Sequence, residues 1–300
     1  MPGGEGLVES FGRVLTAMVT PFDKNSNVDY DKAAALALRL IKSGSDGVVV
    51  CGTTGESPTL SKEEKLTLFE VVVNAVGGKA SVIAGTGSYS TQASIELTKE
   101  AEKKGVDGVM LVSPYYNKPP QEGLYQHFKT IAENTMLPTI LYNVPGRTCV
   151  NILPDTVRRL AEVRNIVAIK EASGDLNQVS EIRMSTPGEF LIYSGDDSMT
   201  LPILSIGGAG VISVASHVAG NSIKEMIDSY FSGNVRHAAE LHSKLFPLFR
   251  GLFLMTNPIP VKSALRLAGF DAGSLRLPLT EMNGSELNRL RAIMERVGVI

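Results

Sequence analysis

Short runs of consecutive apolar, mostly β-branched residues recur along the first two-thirds of the chain. They fall at Val14 to Val19, Val48 to Cys51, Val82 to Ala84, Val109 to Val112, Ile140 to Tyr142, Ile166 to Lys170, Leu191 to Ser194 and Val211 to Val214. Runs without apolar and polar alternation mark strands covered on both faces. Most intervals between them carry helical periodicity, as in Ser61 to Val76, which opens on the capping-box pattern Ser61-Lys62-Glu63-Glu64. Eight such units in about 250 residues predict an α/β fold of the (β/α)8 TIM-barrel type more than an open doubly wound sheet. From Ser222 onward the strand signal stops and helical periodicity takes over, with breaks near Gly233, Asn257-Pro258, Gly269 and Gly284. The pattern therefore predicts a barrel over residues 1–232, preceded by a flexible tail at Met1 to Gly6, and a C-terminal helical extension over 233–300. No linker rich in Pro, Gly or Ser separates them, so one covalent domain with a helical appendage is expected.

Composition narrows the function. With 43% hydrophobic residues, a net charge of -2 and interspersed charges, the chain lacks the basic stripe that nucleic acid demands. The apolar stretch Leu201 to Ala215 is broken by Pro202, Gly207, Gly208 and Gly210, which suits a loop and a strand better than a membrane span. The start shows no basic region followed by an apolar one, so a cytoplasmic location is expected. Cys51 and Cys149 are too few for a disulfide framework, and both are expected to be reduced thiols. His127, His217, His237 and His242 form no pair at ligand spacing, so no metal is expected.

Candidate chemistry gathers where a barrel keeps its active site, in the loops at the carboxyl ends of the strands. Lys170 ends an apolar run, and burial of an amine favours its neutral, nucleophilic form, which attacks carbonyls to give a Schiff base. A lone lysine at a strand end is more often one snorkelling to solvent; its company changes that. Gly52-Thr53-Thr54-Gly55 offers amides and hydroxyls suited to a small anion, although alone it reads equally well as a glycine turn. Gly85-Thr86-Gly87-Ser88 lacks a third glycine and reads as turn chemistry. Tyr142 closes the strand before that of Lys170, and with a threonine hydroxyl it can move the protons that imine formation requires. Arg147, in a Pro-Gly loop on the same face, can grip a carboxylate with two parallel hydrogen bonds.

Together Gly52-Thr53-Thr54-Gly55-Glu56-Ser57, Pro114-Tyr115-Tyr116-Asn117-Lys118-Pro119, Tyr142-Asn143-Val144-Pro145-Gly146-Arg147-Thr148, Ile169-Lys170-Glu171 and Ser194-Gly195-Asp196-Asp197 resemble the dihydrodipicolinate synthase family. The resemblance runs from Thr16 to the surroundings of Leu277-Pro278. It implies condensation of pyruvate with aspartate semialdehyde, at the entry of the lysine branch, without a cofactor. It implies that Lys170 forms the imine and that Tyr142 exchanges protons through Thr53 with a Tyr116 supplied by a neighbouring subunit. Thr54 and the backbone of Ile212 would hold pyruvate, Gly195 would line the pocket, and Arg147 would fix the semialdehyde carboxylate. A homo-oligomer, commonly a homotetramer built as a dimer of dimers, is implied.

The wider superfamily of Schiff-base lyases shares Gly-Thr-Thr-Gly-Glu, the Tyr-Asn strand end and the lysine, so a sugar-acid aldolase of the N-acetylneuraminate lyase type is the second reading. Other classes are a pyridoxal phosphate enzyme on a lysine imine and a non-catalytic binding protein that kept the pocket. Where feedback-inhibited relatives carry histidines and an acidic or amide pair, this chain has Lys62, Lys65, Tyr89 and Ala93, with Tyr115 retained. Two added cations and a lost carboxylate repel a lysine ligand's ammonium, so inhibition by lysine is expected to be weak or absent.

Overall fold

A computed structural model describes residues 11–300; the expected tail at Met1 to Gly6 lies outside them. Eight parallel strands close into a barrel in sequence order: β1 Val14–Ala17, β2 Gly47–Val50, β3 Ser81–Gly85, β4 Gly108–Val112, β5 Thr139–Asn143, β6 Ile166–Glu171, β7 Leu191–Ser194 and β8 Gly210–Ser213. β8 pairs with β1, Ile212 opposite Leu15. Closure leaves no strand edge unpaired.

The intervening helices are α1 Tyr30–Lys42, α2 Lys62–Val76, α3 Thr91–Glu102, α4 Gln121–Ala132, α5 Pro145–Thr148, α6 Pro154–Leu160, α7 Leu176–Ser185, α8 Thr200–Ser205 and α9 Ser216–Phe231. The capping box before α2 forms: Ser61 Oγ accepts from the Glu64 amide, and Glu64 Oε2 accepts from the Ser61 amide at 2.8 Å. α9 begins at Ser216 and not at Ser222, because Ala219, at φ -133° and ψ 26°, kinks its first turn and hides the periodicity. β1 stops at Ala17, short of Val19: the Val19 amide leaves the ladder and donates to His217 Nε2 at 3.1 Å.

Period-two alternation sorts the strand side chains. Ile83, Met110, Ile140, Tyr142, Ala168, Tyr193 and Ile212 fill the barrel interior, while Leu111, Leu141, Ile169 and Ile192 pack outward against helices. After α9 come α10 Val235–Gly251, α11 Ile259–Leu267 and α12 Gly284–Val297. Leu245, Leu248, Val261, Leu290 and Met294 from these helices share one core with Leu36, Leu68 and Val72 of α1 and α2. Among the described residues, no helix is long and apolar enough to cross a membrane.

Candidate active site

Lys170 and Tyr142 are direct neighbours across β5 and β6. Ala168 points into the barrel, so Lys170, two residues on, takes the same face. Its side chain is 4% exposed and its Nζ lies 4.3 Å from the Tyr142 ring centroid. No carboxylate among the described residues forms an ion pair with it. Gly195 borders the lysine stem: a Cβ there would come within 2.7 Å of Ala172 Cβ and 3.2 Å of Lys170 Cε.

The outward face of the same strand end is pinned by Glu171, which sequence reasoning passed over. Its carboxylate accepts from Asn143 Nδ2 at 3.0 Å, Gln178 Nε2 at 3.2 Å and the Ser173 amide at 2.6 Å. Strand alternation was the available signal: the residue after an inward lysine faces the helices.

In the loop after β2, Gly55 and Glu56 amides donate to Gly52 and Thr53 carbonyls, both at 3.1 Å. Glu56 takes a left-handed φ of 54°, is buried, and pairs with buried Lys262 at 2.7 Å. Its second oxygen accepts from the Arg276 amide at 3.0 Å, and Lys262 Nζ also donates to the Ser274 carbonyl. Burial lowers the pKa of Lys262, and the Glu56 carboxylate opposes that shift. Thr54 Oγ1 accepts from Asn257 Nδ2 at 2.8 Å. The Gly85-Thr86-Gly87 turn is required by close approach: a Cβ would stand 2.5 Å from Cys51 O at Gly85 and 2.4 Å from Val112 N at Gly87.

A cleft of about 210 Å³ opens here, with Thr53, Tyr115, Tyr142, Val144 and Arg147 on its wall. The Arg147 guanidinium donates to the Asn257 carbonyl at 3.2 Å. Ile212 lies fully buried in β8 in the barrel interior. The structure thus brings Lys170, Tyr142, Thr53, Thr54, Arg147, Gly195 and Ile212 to the barrel and its mouth. Tyr116 is not among them. It is 93% exposed with φ +70°, and Tyr115 occupies the cleft wall, its ring edge-on to Tyr89 at 5.3 Å.

Lys62 pairs with Glu100 at 2.5 Å, so its charge is already answered, whereas Lys65 is half-buried and burial lowers its pKa. Burial pushes the thiol of Cys51, also on the cleft wall, up to about 12, which disfavours its nucleophilic thiolate form. Among the described residues, no three His, Cys, Asp or Glu side chains gather in a group able to hold a metal ion.

The model of the dihydrodipicolinate synthetase family matches residues 10–297. The chain belongs to that family. A family member from Desulforudis audaxviator, 4-hydroxy-tetrahydrodipicolinate synthase, is 61% identical over 98% of this chain and 100% of its own length. The crystal structure of the Cyanidioschyzon merolae enzyme of the dihydrodipicolinate synthase family, with lysine bound, superposes with a TM-score of 0.95 at 51% identity, covering 97% of this chain and 99% of that one. A monomeric dihydrodipicolinate synthase variant aligns at a TM-score of 0.94 and 45% identity, covering 97% and 98%.

Proposed function

We propose that this chain is a 4-hydroxy-tetrahydrodipicolinate synthase, a lyase that condenses pyruvate with L-aspartate 4-semialdehyde at the entry of the diaminopimelate and lysine branch. The observation that carries the reading is the contrast between two buried lysines. Lys262 is neutralised by Glu56, whereas Lys170 faces an aromatic ring and pairs with no carboxylate among the described residues, which leaves its amine available for addition to a carbonyl.

The Lys170 amine attacks the keto carbon of pyruvate, the carbinolamine loses water, and the methyl carbon then gives up a proton to form an enamine. Tyr142 is the proton donor and acceptor for these steps, coupled to Thr53 on the same cleft wall. The enamine carbon attacks the aldehyde of the second substrate. That substrate's amine then displaces Lys170 at the imine carbon, closing the ring and freeing the enzyme. Thr54 and the Ile212 backbone hold the pyruvate carboxylate, Gly195 gives room beside the lysine stem, and Arg147 grips the semialdehyde carboxylate.

Tyr116 completes the relay from a second subunit, and the exposure of its whole side chain supports that role. A homotetramer arranged as a dimer of dimers is the matching assembly, with the barrel in residues 1–232 as the catalytic part and 233–300 as its extension. A cytoplasmic location is in keeping with two unpaired cysteines. A sugar-acid aldolase is disfavoured by relatives at 61% identity bearing the synthase name. A steady-state assay tests the choice: turnover with pyruvate and aspartate semialdehyde is expected, and cleavage of N-acetylneuraminate at a comparable rate without that turnover would reverse it.

A further inference from the structure

Asn257 stands between the two anion-binding groups. Its side-chain Nδ2 donates to Thr54 Oγ1 at 2.8 Å, and its backbone carbonyl accepts from the Arg147 guanidinium at 3.2 Å. The residue is 5% exposed, and its Oδ1 is buried without a hydrogen-bond partner. It lies just ahead of α11, 203 residues from Thr54 and 110 from Arg147 in sequence. One residue of the C-terminal extension therefore touches loops that follow β2 and β5.

We propose that Asn257 is a positioning residue that sets the polarity of the Thr54 hydroxyl and the place of the Arg147 guanidinium, so that the two substrate carboxylates meet donors. The inference rests on the function proposed above. A hydroxyl carries one proton and two lone pairs. With a lone pair occupied by the Asn257 amide, the Thr54 proton is directed elsewhere and serves an anion. An aspartate at position 257 would reverse this: its carboxylate would take the Thr54 proton, turn the lone pairs of the hydroxyl towards the anion site and add a negative charge beside it. The backbone carbonyl that holds Arg147 survives any side-chain change. Substitution at this position thus separates capture of pyruvate from capture of the semialdehyde.

The test compares the parent protein with Asn257→Asp and with Asn257→Leu, a neutral side chain of similar size, each first checked for parental secondary structure. Asn257→Asp is expected to raise the pyruvate KM about tenfold or more, the scale of one charged hydrogen bond. Its semialdehyde KM should stay near the parental value, and borohydride should trap less pyruvate on Lys170 at sub-saturating pyruvate. Asn257→Leu should raise the pyruvate KM less. A parental pyruvate KM and parental trapping in Asn257→Asp would mean that position 257 accepts from Thr54, which overturns the inference. Should Asn257→Asp not fold, Asn257→Leu decides: equal rises in both KM values, or none, overturn the inference, and a rise confined to pyruvate supports it. If the parent itself traps no pyruvate on Lys170, it is the proposed function that fails.

Discussion

Replacing Lys170 by methionine removes the proposed nucleophile while keeping an unbranched apolar stem against Gly195 and Tyr142. Turnover should fall on the order of 10³-fold or more with the unfolding midpoint unchanged or raised, since a buried amine that pairs with no carboxylate among the described residues costs stability. Tyr142→Phe keeps the ring and loses the hydroxyl, so a loss of about 10² to 10⁴-fold in kcat is expected in the same assay. Another residue-scale prediction concerns His217, whose Nε2 accepts from the Val19 amide while Nδ1 donates to the Val214 carbonyl at 2.8 Å. Burial pulls its pKa from 6.5 to about 4. The unfolded chain then binds a proton that the folded one refuses, so stability falls as pH drops from about 6.5 towards about 4 and is fully present above that window. This residue contributes about 3 kcal/mol to that fall. Urea unfolding across that range should show a shallower pH dependence in His217→Gln; an unchanged slope would remove the assignment.

At the scale of elements, continuous apolar runs made the strands readable, because a parallel strand covered on both faces has no polar positions to blur it. Their ends were harder: Met18 and Val19 look like strand, yet Val19 is recruited by a histidine 198 residues away. The positions of Lys170 and Tyr142 at strand ends, and of Arg147 just beyond one, were legible from the pattern of runs alone. The supports were not, since Glu56 and Lys262, or Thr54 and Asn257, meet only after the chain has closed the barrel. The Glu56–Lys262 pair joins the loop after β2 to α11, and removing one partner leaves a buried charge unmatched. Glu56→Ala should therefore destabilise by about 3 to 5 kcal/mol, and Glu56→Leu with Lys262→Met should recover most of it. Thermal unfolding of the single and double variants checks this; additive losses would show that the pair is not coupled.

For the whole molecule, the open question of the sequence was whether one chain holds a complete site. Tyr116 stands away from the cleft, so activity should depend on assembly. Diluting the enzyme until sedimentation shows monomers is expected to lower specific activity with secondary structure retained, and fully active monomers would refute the shared site. The regulatory expectation also belongs at this scale. Lys62 is answered by Glu100, which leaves half-buried Lys65 as the cation opposing an incoming ammonium; lysine should not inhibit in the micromolar range in a steady-state assay. The central claim is the imine at Lys170, and borohydride reduction in the presence of pyruvate, followed by peptide mass spectrometry, tests it most directly. A reduced pyruvyl adduct on Lys170 alone is the expected result; no adduct, or one on Lys262, would contradict it.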